Sequence, residues 1–254
     1  MATKKTKENA KQAVNRGCAG LFFFLMLVMG SIWGAGLGVF VWVLEDAKTT
    51  IEALEEFRPN IGSRVYSSDG ELLGQFTIEE RQLVPLNEMP LHLVKAFLAT
   101  EDHPFYEHKG VRPDAIISAA LTGLQSGRFR GASTITQQVA KNVLLWPGRD
   151  PVRKLLEATL TPQLELFWNK RRIMEVYLNV AETGPGLYGA EAAARRYFHR
   201  SAAELTRRQA ALIAAVLPNP RLWSAAEPSR YIRRRADVIE RRIGQLGPLL
   251  DCID

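Results

Sequence analysis

Three short stretches carry side chains that could do chemistry together. The first runs from Gly131 to Asn142 as Gly-Ala-Ser-Thr-Ile-Thr-Gln-Gln-Val-Ala-Lys-Asn. Thr134 and Gln137 have the spacing of a capping box, and Ser133 is an equally good N-cap, so a helix starts here. Its first turn offers backbone N–H groups and the positive end of the helix dipole to an anion. One turn on, Gln137 and Lys141 share a face, as do Gln138 and Asn142. Ordinary surface helices open on acids and fill later turns with charges. Hydroxyls and paired glutamines in one first turn suit binding better than solvation.

The second stretch, Ala99 to Gly110, puts Glu101, Asp102 and His103 before Pro104, which ends a helix and leaves them at a rim. A carboxylate beside another carboxylate and apolar neighbours is suited to general acid or base work. A capping acid pair with a buried His108 explains the same residues blandly. The third stretch is Arg149-Asp-Pro-Val-Arg-Lys-Leu-Leu-Glu157. Asp150 caps it and Pro151 takes the first helical position. Arg153 and Lys154 lie four and three residues before Glu157. A surface ion pair of that spacing contributes only about 0–1 kcal/mol.

The elements that must position these groups are mostly helices. Apolar spacing and caps predict them over 92–100, 114–126, 134–145, 151–168, 170–181, 190–198, 206–217 and 229–246. Thr161-Pro162 interrupts the fourth of these and predicts a kink just past Glu157. Two β-prone runs around Asp69-Gly70 predict a hairpin over Arg64–Phe76. Ala47–Phe57 reads as a helix ended by Arg58-Pro59-Asn60. The last helix has Ile232, Ala236, Ile239, Ile243 and Leu246 on one face and Arg233, Arg234, Arg235, Arg241 and Arg242 elsewhere. That pattern fits a packing helix with a solvated basic side, or one that meets anionic lipid heads.

Of the net charge of +6, four units sit in residues 1–18, in Lys4, Lys5, Lys7, Lys11 and Arg16 against Glu8. The basic excess is a tail beside an apolar run, which makes nucleic acid a poor partner. Ala19–Leu44 holds 26 residues without a charge, too long for a cleavable signal peptide and long enough to span a bilayer. Basic residues before it and Glu45 and Asp46 after it place the N-terminus in the cytoplasm. Gly30, Gly34 and Gly38 make a small-residue face suited to a second membrane helix. Cys18 and Cys252 fall on opposite sides of the membrane in this reading, so they do not pair. The segments are a basic tail (1–18), a signal-anchor helix (19–44), a linker (45–60), an outer domain (61–225) and a C-terminal basic helix (226–254).

Taken in order, the motifs resemble the peptidoglycan glycosyltransferases of glycosyltransferase family 51, most closely the monofunctional membrane-anchored ones. Glu101, Asp102, Phe105, His108 and Gly110 match the first signature. Gly131–Asn142 matches the second, and Arg153, Lys154 and Glu157 the third. Lys170, Ile173, Glu175, Tyr177, Leu178 and Asn179 with Gly189–Phe198 match the fourth, and Leu205–Pro218 the fifth. Arg112, Gln209 and Pro162 depart from the pattern at positions outside the matched catalytic ones.

The resemblance implies a mainly α, lysozyme-like helical domain with a small membrane-proximal lobe, preceded by a single transmembrane helix in the inner (plasma) membrane. It implies a processive, inverting polymerisation of lipid II, in which the growing glycan leaves undecaprenyl pyrophosphate for the 4-hydroxyl of the incoming lipid II. Glu101 would be the general base and Glu157 the second carboxylate. Lys141 and Arg149 would hold the pyrophosphate, with Arg153 and Lys154 close by. Ser133, Gln137 and Gln138 would line the donor site, and Asp102 and Asn142 complete the substrate-binding set. The residues agree on one point. A lytic enzyme must protonate an alkoxide, whereas a pyrophosphate leaves as a stable anion and needs cations. A lytic muramidase-type enzyme and an inactive membrane scaffold for cell-wall proteins are the rivals. No metal cage is visible, although a divalent cation (Mg or Mn) could bridge Glu157 and pyrophosphate. The expected partners are lipid II, nascent glycan, membrane lipid and cell-wall or division proteins met through the transmembrane helix. No Ser-x-x-Lys occurs, so no penicillin-sensitive transpeptidase is expected.

Overall fold

The computed structural model describes residues 22–39, 41–42, 45, 63–69, 72–76, 80–126, 131, 133–146, 148 and 150–246. The basic tail, the helix expected over Ala47–Phe57, both cysteines and Arg149 lie outside the described residues. The chain forms two compact units, residues 1–50 and 51–254. In the first, helix α1 (Phe22–Val39) has 18 residues of mean hydropathy 1.9, long and apolar enough to cross a membrane.

The second unit is mainly α, as the sequence predicts. Strands β1 (Ser63–Tyr66) and β2 (Leu72–Phe76) pair antiparallel, with Ser63 opposite Phe76 and a turn through Ser68 and Asp69. The helices follow as α2 (Leu91–Glu101), α3 (Pro113–Ser126), α4 (Ile135–Leu144), α5 (Pro151–Phe167), α6 (Lys170–Val180), α7 (Ala190–Phe198), α8 (Arg207–Val216) and α9 (Arg230–Gln245). Side-chain caps fix most of their starts. Thr134, Asp150, Asn169, Thr206 and Ser229 each accept an N–H from the first turn that has no carbonyl partner inside the helix.

Helix α8 is the middle of one half of the core. Ala210–Val216 are all buried, and the alanines let α2 and α9 approach α8 closely. α4 packs on α5 and α6 in the other half. Phe97 of α2 meets Tyr177 of α6 edge to face, with ring centroids 6.0 Å apart, and joins the halves. Each fully buried residue such as Leu93, Phe97 or Ile213 stabilises the fold by about 1.5–3 kcal/mol. Helix α3 differs, because Ile116, Ile117, Leu121 and Leu124 are exposed.

Two features depart from the sequence reading. α5 runs without interruption through Pro162. Pro162 cannot bond the Ala158 carbonyl, but both residues lie on the exposed side, where solvent satisfies that oxygen. A second sheet was also not foreseen. It has the order β3-β5-β4, from Glu80–Arg81, Leu187–Tyr188 and Glu182–Gly184. Strands of two or three residues show no alternation to read. Pro185 and Gly186 make the turn between β4 and β5, with Gly186 at φ 68°.

Candidate active site

The site is built where the end of α2 meets the starts of α4 and α5. α2 ends at Glu101 because Asp102 turns the backbone out of the helix (φ −158°, ψ 75°) two residues before Pro104. Asp102 is 4% exposed and holds two segments. It accepts the Ile135 N–H at the start of α4 (3.1 Å) and a bond from His108 Nε2 (3.0 Å). The Gly110 N–H donates to His108 Nδ1 (3.1 Å), so the ring proton sits on Nε2 and points at Asp102. The Thr134 hydroxyl donates to the Gly110 carbonyl. A Cβ on Gly110, whose φ is +82°, would lie 2.5 Å from the Thr161 side chain. Only glycine lets the loop and helix come this close. The anion expected at the start of α4 is therefore the chain's own Asp102 carboxylate.

The paired glutamines divide their work. Gln137 is buried in the capping box, its amide oxygen accepting the Thr134 N–H (3.0 Å) while its own N–H donates to Thr134 Oγ1 (3.3 Å). Gln138 instead donates from Nε2 to Glu101 (2.9 Å) and accepts a longer bond of 3.5 Å from the buried Tyr177 hydroxyl. Burial holds the Tyr177 phenol well above its ordinary range, so it stays protonated and donates. Asn142 Nδ2 points to the Val180 carbonyl at 3.4 Å.

Burial pushes the Glu101 carboxyl above the usual carboxylate range. The Gln138 bond, then Arg235 and Lys141, draw it part of the way back, while Asp102 adds to the rise. Burial holds Lys141 below the ordinary lysine range. Glu157 and Glu101 raise it, and Arg153 and Lys154 lower it, so Lys141 lies in the field of both carboxylates. Glu157, 3% exposed, is bonded to cations through both oxygens, by Arg153 Nη1 on one and Lys154 Nζ at 2.7 Å on the other. Lys154 Nζ also donates to Ser133 Oγ (2.8 Å), tying α5 to the turn before α4.

The structure thus gathers Glu101, Asp102, Ser133, Gln137, Gln138, Lys141, Arg153, Lys154 and Glu157 at one junction, and Arg149 lies outside the described residues. Two carboxylates in unlike surroundings result. Glu101 is half-buried with a neutral amide as its hydrogen-bond partner, and the buried Glu157 is locked between two cations. Among the described residues no three His, Cys, Asp or Glu side chains gather as a metal cage. Both Glu157 oxygens already hold cationic side chains, Arg153 and Lys154.

Motif reading assigned no role to Tyr177 or His108 and placed Arg235 on a basic side that faces solvent or lipid heads. Arg235 lies in α9, whose basic side is not simply solvated as expected. Arg242 of that helix donates to the Ala99 carbonyl (3.3 Å), and Arg235 is only partly exposed. No local spacing could have signalled this, because the partner residues are more than a hundred positions away.

The transglycosylase family profile matches residues 69–243 and so takes in most of α9. The biosynthetic peptidoglycan transglycosylase of Pseudomonas fluorescens is 52% identical over 168 residues, 66% of this chain and 70% of that protein. The protein of the same name from Rhodospirillum centenum is 52% identical over 164 residues, covering 65% and 71%. Among solved structures, penicillin-binding protein 1A from Haemophilus influenzae shares 24% identity at a TM-score of 0.38, over 71% of this chain and 17% of that one.

Proposed function

The chain belongs to the transglycosylase family, and from that premise we propose a division of labour for its peptidoglycan glycosyltransferase reaction. Glu101 takes the proton from the 4-hydroxyl of the incoming lipid II. That oxygen attacks C1 of the growing glycan, and the bond from C1 to the undecaprenyl pyrophosphate breaks with inversion. The pyrophosphate leaves with the bonding electron pair and is held by Lys141, Arg153 and Lys154, with Arg149 added to this set on the strength of its motif position. Glu157 keeps two of the cations in place between turnovers.

The observation that supports this assignment is the unlike pairing of the two glutamates. A base must have a lone pair free of cations, and among the described residues Glu101 is hydrogen-bonded to the Gln138 amide and to no cation. Burial makes it a stronger base than an exposed glutamate. The same burial would suit the acid of a lytic enzyme, but such an enzyme has no use for three cations beside its second carboxylate. Glu157 acts by organising cations, and removing one preorganised contact of this kind typically costs about 10²–10³ in rate.

The substrate brings its own membrane tail, which suits a domain anchored by α1 with its N-terminus in the cytoplasm. The exposed apolar face of α3 is where the second unit would meet the bilayer. Gly30, Gly34 and Gly38 leave open space beside α1 for a partner helix of cell-wall synthesis. Purified protein incubated with labelled lipid II tests the reading. Long glycan strands on a gel support polymerisation. Shortening of added glycan would mean a lytic enzyme, and unchanged lipid II would mean a scaffold.

A further inference from the structure

We propose that Arg235 is a positioning residue for this reaction, a fixed cation from the C-terminal helix that keeps the Glu101 carboxylate in its charged, proton-accepting form. The inference rests on Glu101 being the base and adds a component from outside the motifs. α9 packs on both α2 and α8 through Ile232, Ala236, Ile239 and Ile243. Arg242 fastens it to the Ala99 carbonyl, two residues before Glu101. Arg235 is seven residues earlier, hence two turns back on the same face.

The acids of α9 do not pair with it. Asp237 and Glu240 both go to Arg208 of α8. Among the described residues Arg235 has no ion pair, and its Nε is fully buried without a hydrogen-bond partner. Burying part of a guanidinium is costly unless a negative charge compensates it. The negative charge within its reach is Glu101, at the end of the helix α2 on which α9 packs, and Arg235 and Lys141 both draw the Glu101 carboxyl down.

The groups around Glu101 explain why a second cation is needed. Asp102 stands next to it in the chain, Gln138 and Lys141 face it from α4, Tyr177 from α6 and Arg235 from α9. Asp102 raises its proton affinity, and the arriving pyrophosphate would raise it further. Lys141 is shared with Glu157 and, in the proposed reaction, with the pyrophosphate. Arginine does not lose its proton under working conditions, so the charge of Arg235 persists through the cycle.

The test measures kcat of the full-length protein at saturating lipid II from about pH 5 to about pH 9, for wild type, Arg235→Gln and Arg235→Lys. The expected result is an acid limb moved upward by about one pH unit in Arg235→Gln, with KM little changed, and largely restored in Arg235→Lys. An unmoved limb would overturn the inference, whether or not the melting temperature falls. So would a rise in KM with the limb in place, which would make Arg235 a substrate contact. If Arg235→Gln does not fold, Arg235→Lys decides, since a role by shape alone predicts impaired turnover at every pH with no recovery. Glu101→Gln assayed beside them separates the two readings. An active Glu101→Gln removes the base itself, whereas an inactive one with an unmoved Arg235→Gln limb removes only the role of Arg235.

Discussion

At the scale of single residues, the site works by contrast between neighbours of like type. Gln137 closes a cap while Gln138 faces Glu101, and among the described residues Glu157 is ion-paired while Glu101 is not. The pH profile should show that contrast. Burial raises Glu101, so activity falls with acid at a pH above the ordinary glutamate range, as the base takes up its proton. Burial lowers Lys141, so activity falls with alkali below the ordinary lysine range, as that cation loses its proton. Plotting kcat/KM against pH should therefore give a bell narrowed from both sides, and limbs at ordinary glutamate and lysine values would contradict it. Replacing Lys141 by alanine should lower kcat/KM by about 10²-fold or more with little change in melting temperature. An early-melting variant with normal turnover would make Lys141 structural. These residues were legible in the sequence because each motif is local. The closeness of α9 to the end of α2 was not, since Arg242 and the Ala99 carbonyl that joins them are 143 positions apart.

Among elements, the junction of α2, α4 and the Phe105–Gly110 loop is held by Asp102. Asp102→Ala leaves the Ile135 N–H and His108 without their acceptor inside the protein. It should destabilise the fold by about 2–5 kcal/mol, lowering the melting temperature by about 5–15 °C. Calorimetry decides, and a variant that melts like wild type but binds lipid II poorly would return Asp102 to the substrate. The sequence placed the helices well because their starts are written in single capping residues such as Thr134, Asp150 and Ser229. It expected Pro162 to interrupt and kink the helix because the rule for proline is local, whereas the exposed Ala158 carbonyl lets α5 continue through it. The β3-β5-β4 sheet was invisible because β3 is separated from its partner by about a hundred residues and no strand exceeds three.

For the whole molecule, polymerisation of lipid II outside the cell requires the reacting domain and the basic tail to lie on opposite sides of a membrane. The two cysteines, Cys18 and Cys252, report on this without any substitution. A membrane-impermeant maleimide added to spheroplasts should label Cys252 and spare Cys18 until detergent is added, and the reverse pattern would invert the topology. The central claim is that this domain makes glycan strands with Glu101 as its base, and Glu101→Gln tests it most directly. Labelled lipid II is incubated with each protein, strand formation is read on a gel, and lipid II binding and melting temperature are measured on the same samples. Wild type should give long strands, and Glu101→Gln should melt and bind unchanged with polymerisation reduced at least about a hundredfold. Polymerisation by Glu101→Gln above about a tenth of the wild-type rate would contradict it.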